Sequence, residues 1–141
     1  MIIAIPVDEG KKSICVSFGR APYFLIYDTD SAKTEMVENP AAEAQGGAGI
    51  KAAQLVVDKG ANALITVRCG QNAADVFKAA EIKIYKALGS DAAENLKALA
   101  EGKLDELTSF HAGFHGKAWA SLAALIISLS LASGFAYFML S

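Results

Sequence analysis

The chain is poor in the residues that would place it among the small cross-linked proteins: its 141 residues hold two cysteines, Cys15 and Cys69. Two cysteines cannot build a disulfide framework, and a chain of this length does not need one to bury a core. The low thiol content fits a reducing, cytoplasmic compartment. Basic residues are also scarce and scattered. Thirteen Lys and Arg against fifteen Asp and Glu give a formal net charge of −2, and the longest basic cluster is Lys11-Lys12. A nucleic-acid-binding domain would carry a basic stripe, so that partner class is excluded. Neither Cys-x-x-Cys nor His-Glu-x-x-His occurs, nor does the six-residue dinucleotide fingerprint or a Lys-containing phosphate loop. Internal repeats and low-complexity linkers are missing as well. The first residues, MIIAIPV, have no basic region ahead of a long apolar run, unlike a secretory leader.

What is present is a globular composition, 53 % hydrophobic and 20 % charged, which excludes disorder. It is followed by one uncharged stretch. Residues 118–141, AWASLAALIISLSLASGFAYFMLS, carry no charge and exceed the roughly 20 apolar residues that cross a bilayer. The expected organisation is an α/β domain over residues 1–107, a His/Gly loop over 108–117 and an apolar tail over 118–141. Trp119 and Tyr137 suit membrane interfaces, and Lys117 would keep the domain cytoplasmic. A membrane anchor, a non-native end and a helix packing on a partner subunit are the three readings of that tail.

Along the chain, residues 2–7 predict a first strand closed by Pro6 and a polar turn. Residues 13–18 alternate Ile14, Val16 and Phe18 with Ser13, Cys15 and Ser17, predicting a half-buried second strand with Cys15 on the face opposite the large residues. Cys15 reads as a small core or second-face residue. Residues 23–28 and 33–38 predict a hairpin. A helix is predicted within residues 41–59 with Ile50, Ala53, Gln54, Leu55, Val56 and Val57 on its apolar side and Gly60 as the stop. A strand over 61–67, a helix over 71–80, a strand over 82–87 and a helix over 91–102 complete the order, the last helix capped by Ser90 or Asp91. Helical crossovers imply parallel strands and the hairpin antiparallel ones, so the sheet should be mixed.

The chemistry is expected around residues 63–77, where an apolar strand breaks at Arg68-Cys69-Gly70 and resumes as a helix. Strand ends facing helix starts bind ligands because the first helical turn offers free N–H groups and a positive dipole end. A cysteine before a helix should have a depressed pKa. The run Gly46-Gly47-Ala48-Gly49 ahead of the first helix lets a backbone or an anion approach closely. Arg20 either presents its guanidinium to an anion or pairs with Asp28 or Asp30 on the surface. His111 and His115 lie in a Gly-containing loop, and Cys69, His111 and His115 form one conceivable metal ligand set, since borderline metals accept imidazole and thiolate together. Catalysis by Cys69 with one of the histidines as base would need an orienting group and an oxyanion hole that the sequence does not offer.

In order, Phe18-Gly19-Arg20-Ala21-Pro22-Tyr23-Phe24, Glu38-Asn39-Pro40, Gly46-Gly47-Ala48-Gly49, Arg68-Cys69-Gly70-Gln71-Asn72-Ala73 and Ile82-Lys83-Ile84-Tyr85 resemble the dinitrogenase iron–molybdenum cofactor biosynthesis family. That family comprises small proteins similar to the nitrogenase accessory factor NifX and the C-terminal part of NifB. The resemblance implies a ribonuclease H-like three-layer α/β/α fold with a mixed five-stranded sheet. It implies further a non-enzymatic role in binding, holding or delivering an iron–sulfur or iron–molybdenum-type cluster, with a cluster donor or acceptor protein as partner. Arg20, Gly46, Gly47, Gly49, Arg68, Cys69, Gly70 and Asn72 are the positions it assigns to the cofactor. Ser17 stands where members of the family often carry histidine. One cysteine cannot satisfy a cluster, so two copies sharing one is a further expectation. The competing class is a regulatory or structural module that binds a protein or a small anion and no metal.

Overall fold

The computed structural model describes residues 1–110, and the compact unit spans Met1–Phe110. Five strands, Ile2–Val7 (β1), Tyr23–Asp28 (β2), Lys33–Glu38 (β3), Ala63–Thr66 (β4) and Lys83–Lys86 (β5), form one sheet in the order β3-β2-β1-β4-β5. The β1–β2 and β2–β3 pairs are antiparallel, whereas β1–β4 and β4–β5 are parallel. The sheet is mixed, as the combination of a hairpin with helical crossovers predicts. Three helices follow: Ala48–Asp58 (α1), Gln71–Ala79 (α2) and Ala92–Ala100 (α3), with a short 3-10 helix at Pro40–Glu43.

Both faces of the sheet are covered, because its central strands are apolar on both. Successive β1 side chains alternate: Ala4 joins a cluster with Phe24, Leu64 and Ile84, whereas Ile3, Ile5 and Val7 join Leu25, Ala63 and Ile65 on the other face. The first face is closed by α1 through Ala52, Ala53 and Val56 and by α2 through Ala73, Ala74 and Phe77. The second is closed by α3 through Ala92, with Leu96 and Leu99 partly buried. This is the ribonuclease H-like α/β/α arrangement.

Residues 13–18 are not a strand. The segment makes isolated bridges to three different places, Val7–Ile14, Ser13–Asp91 and Ser17–Arg68. The β1–β4 pairing stops at Ala4, and Ile14 takes the place opposite Val7, but the residues on either side of it turn away to Asp91 and to Arg68, so no ladder extends. The three apolar residues separate accordingly: Ile14 enters the α3-side cluster, Phe18 enters the α1/α2-side cluster, and Val16 is 56 % exposed. Cys15 is half-buried, and burial pushes its thiol pKa up, with Asp8 adding to the effect. The inward face of α1 is also shifted from the expected one. Ala48, Ala52, Ala53 and Val56 are buried, while Ile50 and Gln54 point outward.

Among the described residues no helix is long and apolar enough to cross a membrane. The expected tail at 118–141 lies outside the described residues.

Candidate functional site

The parallel strands β1, β4 and β5 end on one edge of the sheet, and β2 begins and β3 ends on that same edge. Four connections therefore meet there: residues 8–22, 39–47, 67–70 and 87–91. The carboxyl edge of parallel strands is where open α/β sheets bind ligands.

Phe18 anchors the first connection. Its ring sits 5.2 Å from that of Phe24 and 5.3 Å from that of Phe77, centroid to centroid. The next residue, Gly19, lies against the first turn of α1 so closely that a Cβ there would come within 3.0 Å of the Gly49 N and Cα. Only glycine fits that backbone-to-backbone contact. Gly49 in turn faces α2, where a Cβ on it would meet the Ala73 Cβ at 3.6 Å. Gly49 and Ala73 both belong to first helical turns, so the starts of α1 and α2 are side by side.

Among the described residues, no side chain caps either start. Gly47 at the α1 N-cap is left-handed with φ of 70°, Gly70 at the α2 N-cap is extended, and no acidic residue occupies either first turn. The first intrahelical bonds are donated by Lys51 to Gly47 and by Ala74 to Gly70, each 3.0 Å. Ahead of them, the N–H groups of Ala48, Gly49 and Ile50 and of Gln71, Asn72 and Ala73 have no partner within their helices. Arg68, exposed and paired through its backbone with Ser17, stands at the start of the α2 connection. Its side chain makes no ion pair or hydrogen bond among the described residues. Gly46 and Gly47 are exposed, Gly49 and Gly70 half-buried and Asn72 exposed. The α1 and α2 starts can accept an anion: positive helix ends, Arg68 at the approach to α2 and no carboxylate in the first turns.

Cys69 is placed differently from what the sequence predicts. It is 1 % exposed within the cluster that contains Phe18 and Ala73. Its Sγ lies 3.6 Å from the carbonyl oxygen of Gly70. Burial pushes the thiol pKa up to about 12, so the expectation of a depressed pKa is corrected: loss of water around the thiolate outweighs the nearby helix start.

Arg20 reaches neither Asp28 nor Asp30. Its Nη1 donates to the carbonyl of Ala42 at 3.1 Å and to that of Ala44. The sequence reading also missed Asn39, which is 4 % exposed. Its Nδ2 donates to the carbonyls of Ala21 at 2.8 Å and Gly19 at 3.3 Å, and its Oδ1 accepts from the Ala41 N–H at 3.0 Å. The signal was the Asn-Pro pair, asparagine at the N-cap followed by proline at the first helical position. Among the described residues no group of three or more His, Cys, Asp and Glu could hold a metal ion. His111 and His115 lie outside the described residues.

Residues 1–102 match the family described as dinitrogenase iron-molybdenum cofactor, and the chain belongs to that family. Over 109 residues it is 35 % identical to an uncharacterised protein of Methanocaldococcus jannaschii, covering 75 % of this chain and 91 % of that one. Its fold is similar to the apo form of the orange protein from Desulfovibrio gigas, with a TM-score of 0.71 and 28 % identity over 76 % of this chain and 92 % of that one. A NifB-like protein from Thermotoga is similar at a TM-score of 0.67 and 41 % identity, over 77 % and 95 % of the two chains.

Proposed function

We propose that this protein binds a negatively charged, sulfide-rich metal cluster of iron–sulfur or iron–molybdenum type as cargo and holds it for a donor or acceptor protein without catalysing a reaction. The observation that carries the reading is the pair of adjacent helix starts without side-chain caps, the second preceded by the exposed Arg68, in a family described by the iron–molybdenum cofactor. A sulfide-rich cluster is anionic, and N–H groups and guanidinium nitrogens are the donors its sulfur atoms accept. The glycines at 46, 47 and 49 keep side chains off the approach.

Cys69, 1 % exposed, joins as a thiolate ligand only after a local opening of the core exposes it and its proton passes to solvent. Further ligands would come from His111 and His115, from a second copy or from the cluster's own groups. Residues 118–141 would then serve as a separate appendage to the binding domain. Anaerobic incubation with iron and sulfide, followed by absorbance and metal analysis, tests the reading. Wild type is expected to take up metal, Arg68→Gln to lose most of it, and Cys69→Ala to bind more weakly. Negligible uptake by wild type would contradict it.

A second reading, a regulatory module that binds a small oxyanion and no metal, is favoured by the buried, protonated state of Cys69. Equal binding of molybdate by wild type and Cys69→Ala, with no metal uptake by either, would select it.

A further inference from the structure

The connection that delivers α1 to the edge has almost no core of its own. Between Asn39 and Ala48, only Ala41 is buried, and Glu43, Gln45, Gly46 and Gly47 are exposed. Its backbone bonds are sparse, Ala42 N–H to Asn39 at 3.2 Å and Ala44 N–H to Ala41 at 3.0 Å. A glycine run of this kind has wide conformational freedom, so something outside it must fix where α1 begins. Two side chains do. Asn39 fastens the start of the connection to the carbonyls of Gly19 and Ala21, and Arg20 fastens its middle by donating to Ala42 and Ala44, ahead of Gln45, Gly46 and Gly47. Arg20 and Gly19 are neighbours, and Gly19 is the residue whose backbone touches Gly49. One short segment, fixed in the core by Phe18, thus both seats the first turn of α1 and holds the chain that leads into it.

We infer that Arg20 is a positioning residue: its clamp on the Ala42 and Ala44 carbonyls sets the α1 start beside the α2 start and Arg68, and its charge is not a ligand to the anion. The inference rests on the anion reading of this edge. It separates two roles that a basic residue near an anion site could play. A ligand acts through charge, which lysine retains. A clamp acts through reach and a guanidinium directed at two carbonyls, which the shorter lysine with its compact ammonium does not reproduce.

The test compares wild type, Arg20→Lys, Arg20→Gln and Arg68→Gln in the full chain, with tetrathiomolybdate as the sulfide-bearing probe and amide exchange as a second readout in its absence. Arg20→Lys and Arg20→Gln are both expected to weaken thiomolybdate binding about tenfold, which corresponds to roughly 1.4 kcal/mol. Both should also speed exchange of the Lys51 amide, which closes the first turn of α1 on Gly47. Arg68→Gln should weaken binding with Lys51 exchange unchanged. Wild-type binding by Arg20→Lys would overturn the clamp in favour of a charge role. Faster Lys51 exchange in the Arg20 variants with undiminished binding would overturn positioning while leaving the anion reading intact. No thiomolybdate binding by wild type would overturn the anion reading, and with it the site that Arg20 serves.

Discussion

The helix starts on this domain are of two kinds. The 3-10 helix and α3 are capped by side chains, Asn39 accepting from Ala41 N–H and Asp91 accepting from Glu94 N–H at 2.8 Å, and each has a glutamate in its first turn. The starts of α1 and α2 have glycine at the N-cap and no acid in the first turn. With glycine at the N-cap, each omission forgoes roughly a few tenths of a kcal/mol relative to a side-chain cap, a small cost that leaves the N–H groups free. The difference teaches where an anion can be received. Capped starts have spent their N–H groups and neutralised their dipole, whereas the uncapped pair keeps both available beside Arg68.

Several changes break or sharpen that contrast. The largest concerns the apolar floor beneath the α2 start. Because burial raises the Cys69 thiol to about 12, the unfolded chain releases this proton near the ordinary thiol pKa while the folded chain keeps it. That part of the stability is complete below about pH 8.5 and is lost as pH rises towards 12, by a few kcal/mol in all. Denaturant midpoints from pH 8 to 11 should fall in wild type with a steeper slope than in Cys69→Ala, and parallel slopes would show the thiol to be hydrated.

Next in size is Gly19→Ala. Its Cβ would press on the Gly49 backbone at 3.0 Å, and separating the two segments should cost about 1–3 kcal/mol, read as a lower Tm. Asp91→Ala removes a cap from the start that is not part of the site, and should cost about 1 kcal/mol in thermal unfolding with cluster uptake unaltered. The smallest is Gly49→Ala. Its Cβ would make ordinary contact with Ala73, and an alanine within a helix should gain about 0.5–1 kcal/mol, visible as a small rise in Tm.

Much of this was legible in the sequence. The five sheet strands and three helices follow from hydrophobic period and turn chemistry, and the uncapped starts can be read from glycine standing where Asn39 and Asp91 stand at the other two. Residues 13–18 were misread because alternation reports side-chain faces and cannot show that the segment meets Val7, Asp91 and Arg68 in turn and extends no ladder on any of them. The Cys69 pKa was misjudged for a related reason: position before a helix is local, whereas its burial comes from a cluster drawn from distant parts of the chain, Phe18, Phe24 and Leu64 among them. Arg20 and Asn39 were invisible as a pair, since their targets are backbone carbonyls that leave no mark on residue type.

The account stands or falls on which backbone amides meet the anion. Titration of the isotope-labelled protein with tetrathiomolybdate under anaerobic conditions, followed by amide chemical shifts, should perturb residues 47–50 and 68–73 and leave residues 91–95 at the capped start of α3 unmoved. Perturbation centred on α3, or none at the α1 and α2 starts, would contradict it.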